Sequence, residues 1–402
     1  MSEAHSHETD GMALALGGGG SRGAFEMGAW EAFRELGLTF DAVAGTSIGS
    51  INGALFAMEA FDEALAMWQT LQMDQCLAFS KPYPIQSEDL LHLANMRALA
   101  HELISRHRLD TQPLRSLLGR IIREERVRSA RIRFGLMTVL FRSLKPQPRW
   151  IGDIPTNRLI DYIMASAGLP GLDPVQIDGR RFLDGGFAES VPISMLRTEG
   201  YHRIVAVDLS PKSTVRVSGI DNLQLTLIHD PEDLGGMFDL TPGVLARNRR
   251  LGYLDTMKAF GRLAGERYSL EPGAWRTLAA KYGSDMVVGL EEAASAYGLD
   301  RLPVYTAETF EDALRARRAD AQAEYEARRD ALRVEQKSEA FWAGKLHSLR
   351  MLPPMQLSFL LELAAQARKR KSPIQMPVSL FRQMDRAVDA LLMLDEGNPP
   401  PS

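Results

Sequence analysis

The stretch MALALGGGGSRGAFEMGAWEAFRELGLTFDAVAGTSIGSINGALFAM, residues 12–58, decides the fold. It opens with a short apolar run, Met12 to Leu16, that stops in glycines. From Ala24 to Leu36 it continues with Phe25, Ala29, Ala32, Phe33 and Leu36 at helical spacing. A second apolar run, Phe40 to Ala44, ends in the turn Gly45-Thr46-Ser47-Ile48-Gly49, and an apolar helix rich in small residues follows from Ile48 to Met58. Strand, tight turn and helix therefore occur twice in succession. That alternation predicts an α/β fold of three layers, a mostly parallel central sheet with helices on both faces.

Outward from this core, Phe61 to about Arg128 reads as helical and highly charged, an insertion over about 61–130. Its apolar residues Leu65, Met67, Trp68, Leu71 and Met73 suit either packing on the core or the lining of an acyl channel or lid. Strand character returns at Arg131–Phe141, Phe182-Leu183, Arg203–Leu209 and Leu223–His229, with a helix at Asn157–Ala167 between them. The expected layout is a polar tail over 1–11, a catalytic domain over 12–270 and a mainly helical region over 271–402. Within the last, Leu314, Ala321, Tyr325 and Leu332 are spaced as on a short coiled-coil or helical-hairpin seam, which offers a route to self-association. The apolar helix Met355–Ala367 runs into Arg368-Lys369-Arg370-Lys371, a cluster suited either to a solvated helix end or to anionic lipid.

Composition narrows the function classes. The 47 basic and 51 acidic residues give a formal charge of −4, so no global field favours nucleic acid. The single cysteine, Cys76, excludes an intramolecular disulfide and reads as a small apolar side chain. Met1 to Asp10 is polar, without the apolar segment of a Sec signal, and no apolar run reaches the 18 or so residues of a membrane span. The expectation is a cytoplasmic protein that touches membranes, if at all, at their surface.

The chemistry begins with Ser47. A serine hydroxyl is a poor nucleophile until a base takes its proton, and Gly45 and Gly49 let a tight strand-to-helix turn project it. The glycine loop ends the neighbouring strand, so the amides of Gly18, Gly19 and Gly20, joined by that of Ile48, suit an oxyanion hole. Arg22, before Gly23, suits bracing of the loop through backbone carbonyls. Residues 18–23 also fit the dinucleotide fingerprint G-x-G-x-x-G. That reading wants an acidic residue at the end of the second strand, where Ser47 stands, and no Gly-Lys-Ser/Thr follows to make a phosphate loop. For the base, the chain offers Asp184 in Phe182-Leu183-Asp184-Gly185-Gly186-Phe187. No histidine spacing suggests a metal site, and the chemistry asks for no cofactor.

Together these motifs resemble the patatin-like phospholipases, lipid acyl hydrolases with a Ser-Asp dyad. The matching segments are GGGSRG at 18–23, GTSIG at 45–49, ASAGLPGLDPVQIDG at 165–179 and DGGFAESVP at 184–192. The resemblance runs from about Leu14 to Leu209, with a weaker echo at Asn248–Phe260. It implies Ser47 as nucleophile, Asp184 as base, the Gly18–Gly20 amides as oxyanion hole, a lipid or lysolipid substrate and an acyl-enzyme intermediate. Gly17 departs from the pattern, many relatives having aspartate there, and the helical C-terminal third is not covered. Two other readings remain: a non-catalytic lipid or partner binder on the same core, and an acyltransferase sharing the first half-reaction. A Ser47, Asp184, His229 triad follows α/β-hydrolase order, but only 46 residues precede Ser47, too few for the strands that fold usually places first.

Overall fold

Ala13 and Ala15 alternate with Leu14 and Leu16 along β1 (Thr9–Leu16), giving the strand one face of small side chains and one of large ones. The structure, a computed structural model, describes residues 9–78, 109–210, 215, 223–335, 354–369 and 382–396. The chain divides into two compact units, Met1–Ala259 and Phe260–Ser402.

In the first unit β1 lies between β2 (Ala42–Thr46) and β7 (Tyr201–Asp208), parallel to both. β3 (Arg133–Leu140) extends the parallel set beyond β2, and β8 (Gln224–His229) extends it beyond β7. β3 also pairs antiparallel with β4 (Pro146–Trp150) and β6 (Arg180–Asp184), and β6 pairs antiparallel with β5 (Gln176–Ile177). The sequence reading placed no strand at β4, which carries Pro146 and Pro148. They are tolerated because β3 is the only described strand that β4 pairs with, which leaves its other edge free of a ladder.

Helices cover both faces of this sheet. Ala13, Ala15, Ala42, Ala44 and Ala206 form one core cluster with Ile193, Met195 and Leu196 of the short helix Ile193–Thr198, the small side chains allowing close packing. Leu16, Val43 and Phe134, on the other face, surround Gly53 of the helix Ile48–Ala57. The helix Ala24–Glu35 packs along Pro242–Ala259 in the same unit. Of the expected insertion, Phe61–Thr70, Gln112–Ile121 and Glu124–Ser129 are helices, and residues 79–108 lie outside those described. Cys76 is half-buried beside Met73, Leu77 and Leu109, and burial, helped by Asp74, pushes its thiol up to about 12.

The second unit is helical: Pro272–Tyr282, Ser284–Ala296, Ala307–Glu335, Pro354–Lys369 and Arg382–Glu396. A two-residue parallel ladder joins Ser269–Leu270 to Val304–Tyr305 inside it, so the division falls after Ala259 rather than near 270. Leu314, expected on a seam, is buried in this unit's own core with Ala321 packed against it, while the side chains of Tyr325 and Leu332 lie outside the described ones. Arg368 and Lys369 are ion-paired to Asp385, Asp389 and Asp395, which answers their charge within the unit; Arg370 and Lys371 lie outside the described residues. Among the described residues no helix is long and apolar enough to cross a membrane.

Candidate active site

Ser47 closes β2 with a left-handed φ of 54°, a conformation that costs a serine about 1–3 kcal/mol and must be held by its surroundings. Three hydrogen bonds hold it. The Ser47 amide donates to Ser166 Oγ at 2.9 Å, Ser166 Oγ donates to the Met137 carbonyl at 2.7 Å, and Ser50 Oγ donates to the Ser47 carbonyl at 2.6 Å. The turn is also tight enough to demand glycine at both flanks. A Cβ on Gly45 would stand 2.0 Å from the Gly49 carbonyl oxygen, and one on Gly49 would stand 2.4 Å from that of Leu16.

Asp184 reaches this turn through a change of partner along β3. β2 pairs with β3 as far as Thr46 opposite Met137. At the next residue, Thr138, β6 takes over the same edge running the other way, with Asp184 opposite Thr138. The end of β6 is thereby brought up against the end of β2, and the residue after Thr46 meets the last residue of β6. Thr138 Oγ1 fixes the junction by donating to the Leu183 carbonyl at 2.9 Å, and the Asp184 amide donates to the Gly168 carbonyl at 2.9 Å.

The Asp184 carboxyl is almost fully buried, and burial raises its pKa. The Ser47 hydroxyl and the Gly186 amide, which donates to Oδ1 at 2.7 Å, pull the other way. Oδ2 is buried and has no donor at full hydrogen-bonding geometry, so the serine is near enough to act on the carboxylate without the bond being closed. A loose contact of this kind is common between a nucleophile and its base before substrate arrives.

The glycine loop lies against the same turn, the Cβ position of Gly18 falling 3.3 Å from Ser47 Cβ. Gly18 itself is spent structurally. Its amide donates to the Ser190 carbonyl at 2.9 Å, which corrects its expected part in the oxyanion hole. Gly19 and Gly20 have no backbone acceptor among the described residues, and the Ile48 amide opens a helix, where first-turn donors have no partner within the helix. Gly20 has a φ of 60°, and a Cβ there would lie 2.2 Å from the Met237 carbonyl oxygen. Arg22 Nε donates to the Gly235 carbonyl at 2.7 Å, Ser21 Oγ to that of Gly236 at 2.9 Å, and the Ser21 amide to that of Met237 at 2.9 Å. The loop is thus clamped from outside by residues 235–237.

Sequence reasoning missed Ser166, the 235–237 clamp and a buried carboxyl, Glu26. Ser166 lies within ASAGLPG, whose resemblance marked the segment without a role for its serine. Glu26 Oε2 accepts from Asn52 Nδ2 at 2.7 Å, and Asn52 Oδ1 accepts from Trp68 Nε1 at 2.9 Å, which ties Trp68 into the core. Burial pushes the Glu26 carboxyl up to about 8. His229, on the outer strand β8, stands three strands from β2, about 14 Å at the usual strand spacing, and its Nδ1 lies 3.3 Å from the Asp208 carbonyl.

Residues 14–197 match the family model for patatin-like phospholipase. Lysophospholipase NTE1 of Mycosarcoma maydis is 28% identical over 202 residues, covering 49% of this chain and 9% of that protein. Patatin-like phospholipase domain-containing protein 7 of Rattus norvegicus is 25% identical over 205 residues, covering 50% of this chain and 14% of that one. The chain therefore spans only a small part of these relatives' length. Among solved structures, VipD from Legionella pneumophila aligns over 97% of this chain and 85% of its own, with 13% identity and a TM-score of 0.39.

Proposed function

We propose, with the match of residues 14–197 to patatin-like phospholipase as premise, that the chain hydrolyses carboxylic esters of lipids through a Ser47–Asp184 dyad. The observation that carries this reading is the meeting of Ser47 and Asp184 where β6 replaces β2 on the edge of β3. Asp184 Oδ2 takes the hydroxyl proton as Ser47 Oγ attacks the ester carbonyl carbon. The carbonyl oxygen gains the negative charge and is held by the amides of Gly19, Gly20 and Ile48. Collapse of the tetrahedral intermediate expels the alcohol, which receives the proton from Asp184 and leaves an acyl-Ser47. Water then attacks the acyl carbon with Asp184 again as base, and the fatty acid departs.

An aspartate is a weaker base than a histidine, so its surroundings must compensate. Burial raises Asp184 and thereby its proton affinity, and the uncommitted oxyanion donors supply the larger part. Each such amide is worth roughly a hundred- to a thousandfold in rate. Lysophospholipid is the class to try first, because the Mycosarcoma maydis relative is named for it. The test is labelling by a fluorophosphonate together with release of fatty acid from a lysophospholipid. Wild-type protein takes the label and releases acid, whereas Ser47→Ala does neither. Equal labelling of the two proteins, or a wild type that is inert in both assays, overturns the reading.

A further inference from the structure

The turn joining β3 to β4 carries two large apolar side chains into solvent. Phe141 is 50% exposed and Leu144 63% exposed, the most exposed of the described large hydrophobic residues apart from Phe187 at 56%. Nothing in the fold asks for them. Neither side chain is buried, and Leu144 occupies a left-handed φ of 51°, where glycine or asparagine is at home and a branched apolar side chain is strained. Four cations lie on the same turn and on the strand paired beside it. Arg142 and Lys145 are exposed on the same turn, and Arg180 and Arg181 are exposed on β6, where the Arg181 carbonyl accepts from the Phe141 amide at 3.0 Å. Among the described residues, none of the four has an acidic partner.

Position gives this patch meaning. Phe141 lies three residues beyond Thr138, the β3 residue level with Ser47, so the turn projects about 10 Å past Ser47 at the same end of the sheet. A projection tipped with two apolar side chains, beside cations that have no acidic partner among the described residues, matches the layered chemistry of an anionic bilayer surface, apolar beneath and negative above. Sinking the tip by roughly 5–10 Å, the usual depth of an interfacial apolar face, would leave the Ser47 edge within a headgroup's thickness of the ester layer.

We propose that the Phe141–Lys145 turn, with Arg180 and Arg181 beside it, docks the N-terminal unit onto an anionic lipid surface so that the Ser47 edge faces the bilayer. This deepens the lipid-ester reading and rests on it for its purpose. Binding itself does not depend on hydrolysis.

The experiment uses full-length Ser47→Ala protein, sedimented with vesicles of phosphatidylcholine alone or mixed with phosphatidylglycerol. The parent binds the mixed vesicles and binds phosphatidylcholine far less. Arg142→Ser with Lys145→Ser lowers the affinity at least about twentyfold, roughly fivefold for each cation removed, and leaves a binding less sensitive to salt. Phe141→Ser with Leu144→Ser lowers it by roughly tenfold for each side chain. Thermal melting shows that both doubles stay folded, and placed in the Ser47 protein they leave hydrolysis of a water-soluble short-chain ester unchanged. A parent that ignores anionic vesicles, or doubles that bind as the parent does, overturns the proposal, as does cation-dependent binding to an acidic protein with none to vesicles. Vesicle binding lost in the doubles, from a wild type inert on every ester, keeps the docking and removes the hydrolase.

Discussion

The network around Arg318 in the C-terminal unit and the surroundings of Asp184 in the N-terminal unit bury charge in opposite ways. In the C-terminal unit Arg318 donates to Glu362 at 2.7 Å and to Asp395 at 2.7 Å, and Glu362 also accepts from Gln322 at 3.1 Å and from the Tyr297 hydroxyl. Every member of that network has partners. In the N-terminal unit two carboxyl oxygens are buried without a donor among the described residues: Asp184 Oδ2, beside a serine held at positive φ, and Glu26 Oε1 on the helix Ala24–Glu35. A connected polar network fixes one packing of a core. Unpartnered carboxyl oxygens and backbone strain only cost stability, and folds keep them where chemistry needs them.

The sharpest way to break this contrast is Asp184→Asn. Hydrolysis should fall by at least about 10³-fold, as when a member of a catalytic pair is removed, with His229→Ala keeping most activity as the control. Stability should move the other way. Burial makes the folded Asp184 hold its proton to higher pH than the unfolded chain does, so at neutral pH the ionised group opposes folding. Its neutral amide counterpart should therefore melt higher than wild type at pH 7. An Asp184→Asn protein that is active, or that melts lower, would class this carboxyl with the structural ones.

Glu362→Ala tests the other side. Arg318 is 6% exposed and Glu362 1%, so removing the acid strands a buried guanidinium. Breaking a buried pair from one side costs about 3–5 kcal/mol. Urea unfolding should show that loss, while ester hydrolysis measured where the protein remains folded stays near wild type. A fall in hydrolysis as deep as that of Asp184→Asn would erase the distinction between the two kinds of burial.

What the sequence made legible follows the same division. Local signals sufficed for the strand-turn-helix repeat of residues 12–58, because apolar periodicity and glycine turns are read within a few residues. They also picked out Ser47 and Asp184 as candidates, but not the handover on β3 that brings them together, which depends on the register of strands distant in sequence. Gly18 misled for the same reason. Its amide looked as available as its neighbours' until the Ser190 carbonyl came into range. β4, which carries prolines that a strand interior disfavours, went without a local signal, and the clamp at 235–237 and the role of Ser166 are tertiary contacts without a local signature.

Glu26 sharpens the contrast through pH. Its carboxyl is pushed from 4.5 up to about 8 by burial, against the opposing effect of Asn52 and the Gly17 backbone. Between those two values the folded protein binds more protons than the unfolded one. Stability should therefore decline from about pH 4.5 through pH 8, by up to about 1.4 kcal/mol per pH unit, and level off above. Glu26→Gln should lack this component of the slope, matching wild type at pH 5 and exceeding it at pH 9 in thermal melts. Identical profiles for the two proteins would mean that Glu26 is ionised in the fold, as a structural acid with a hidden partner would be.

The smallest effect belongs to the two basic surfaces, and it separates them. Arg368 bonds Asp385 at 2.9 Å and also Asp389, and Lys369 bonds Asp395 at 2.6 Å, all on exposed or half-exposed groups. Solvent screens such pairs, so Arg368→Ala should cost no more than about 1 kcal/mol. Its effect on anionic vesicle binding should be slighter still, because a cation already answered by two carboxylates adds little to the field a membrane feels. Arg142 and Lys145 have no such neighbours among the described residues. If Arg368→Ala weakened vesicle binding as much as Arg142→Ser, the run of positive charge in the sequence would be the better guide to lipid. If only the turn responds, the deciding quantity is charge left unpaired beside exposed apolar side chains, which the fold sets and the sequence alone does not display.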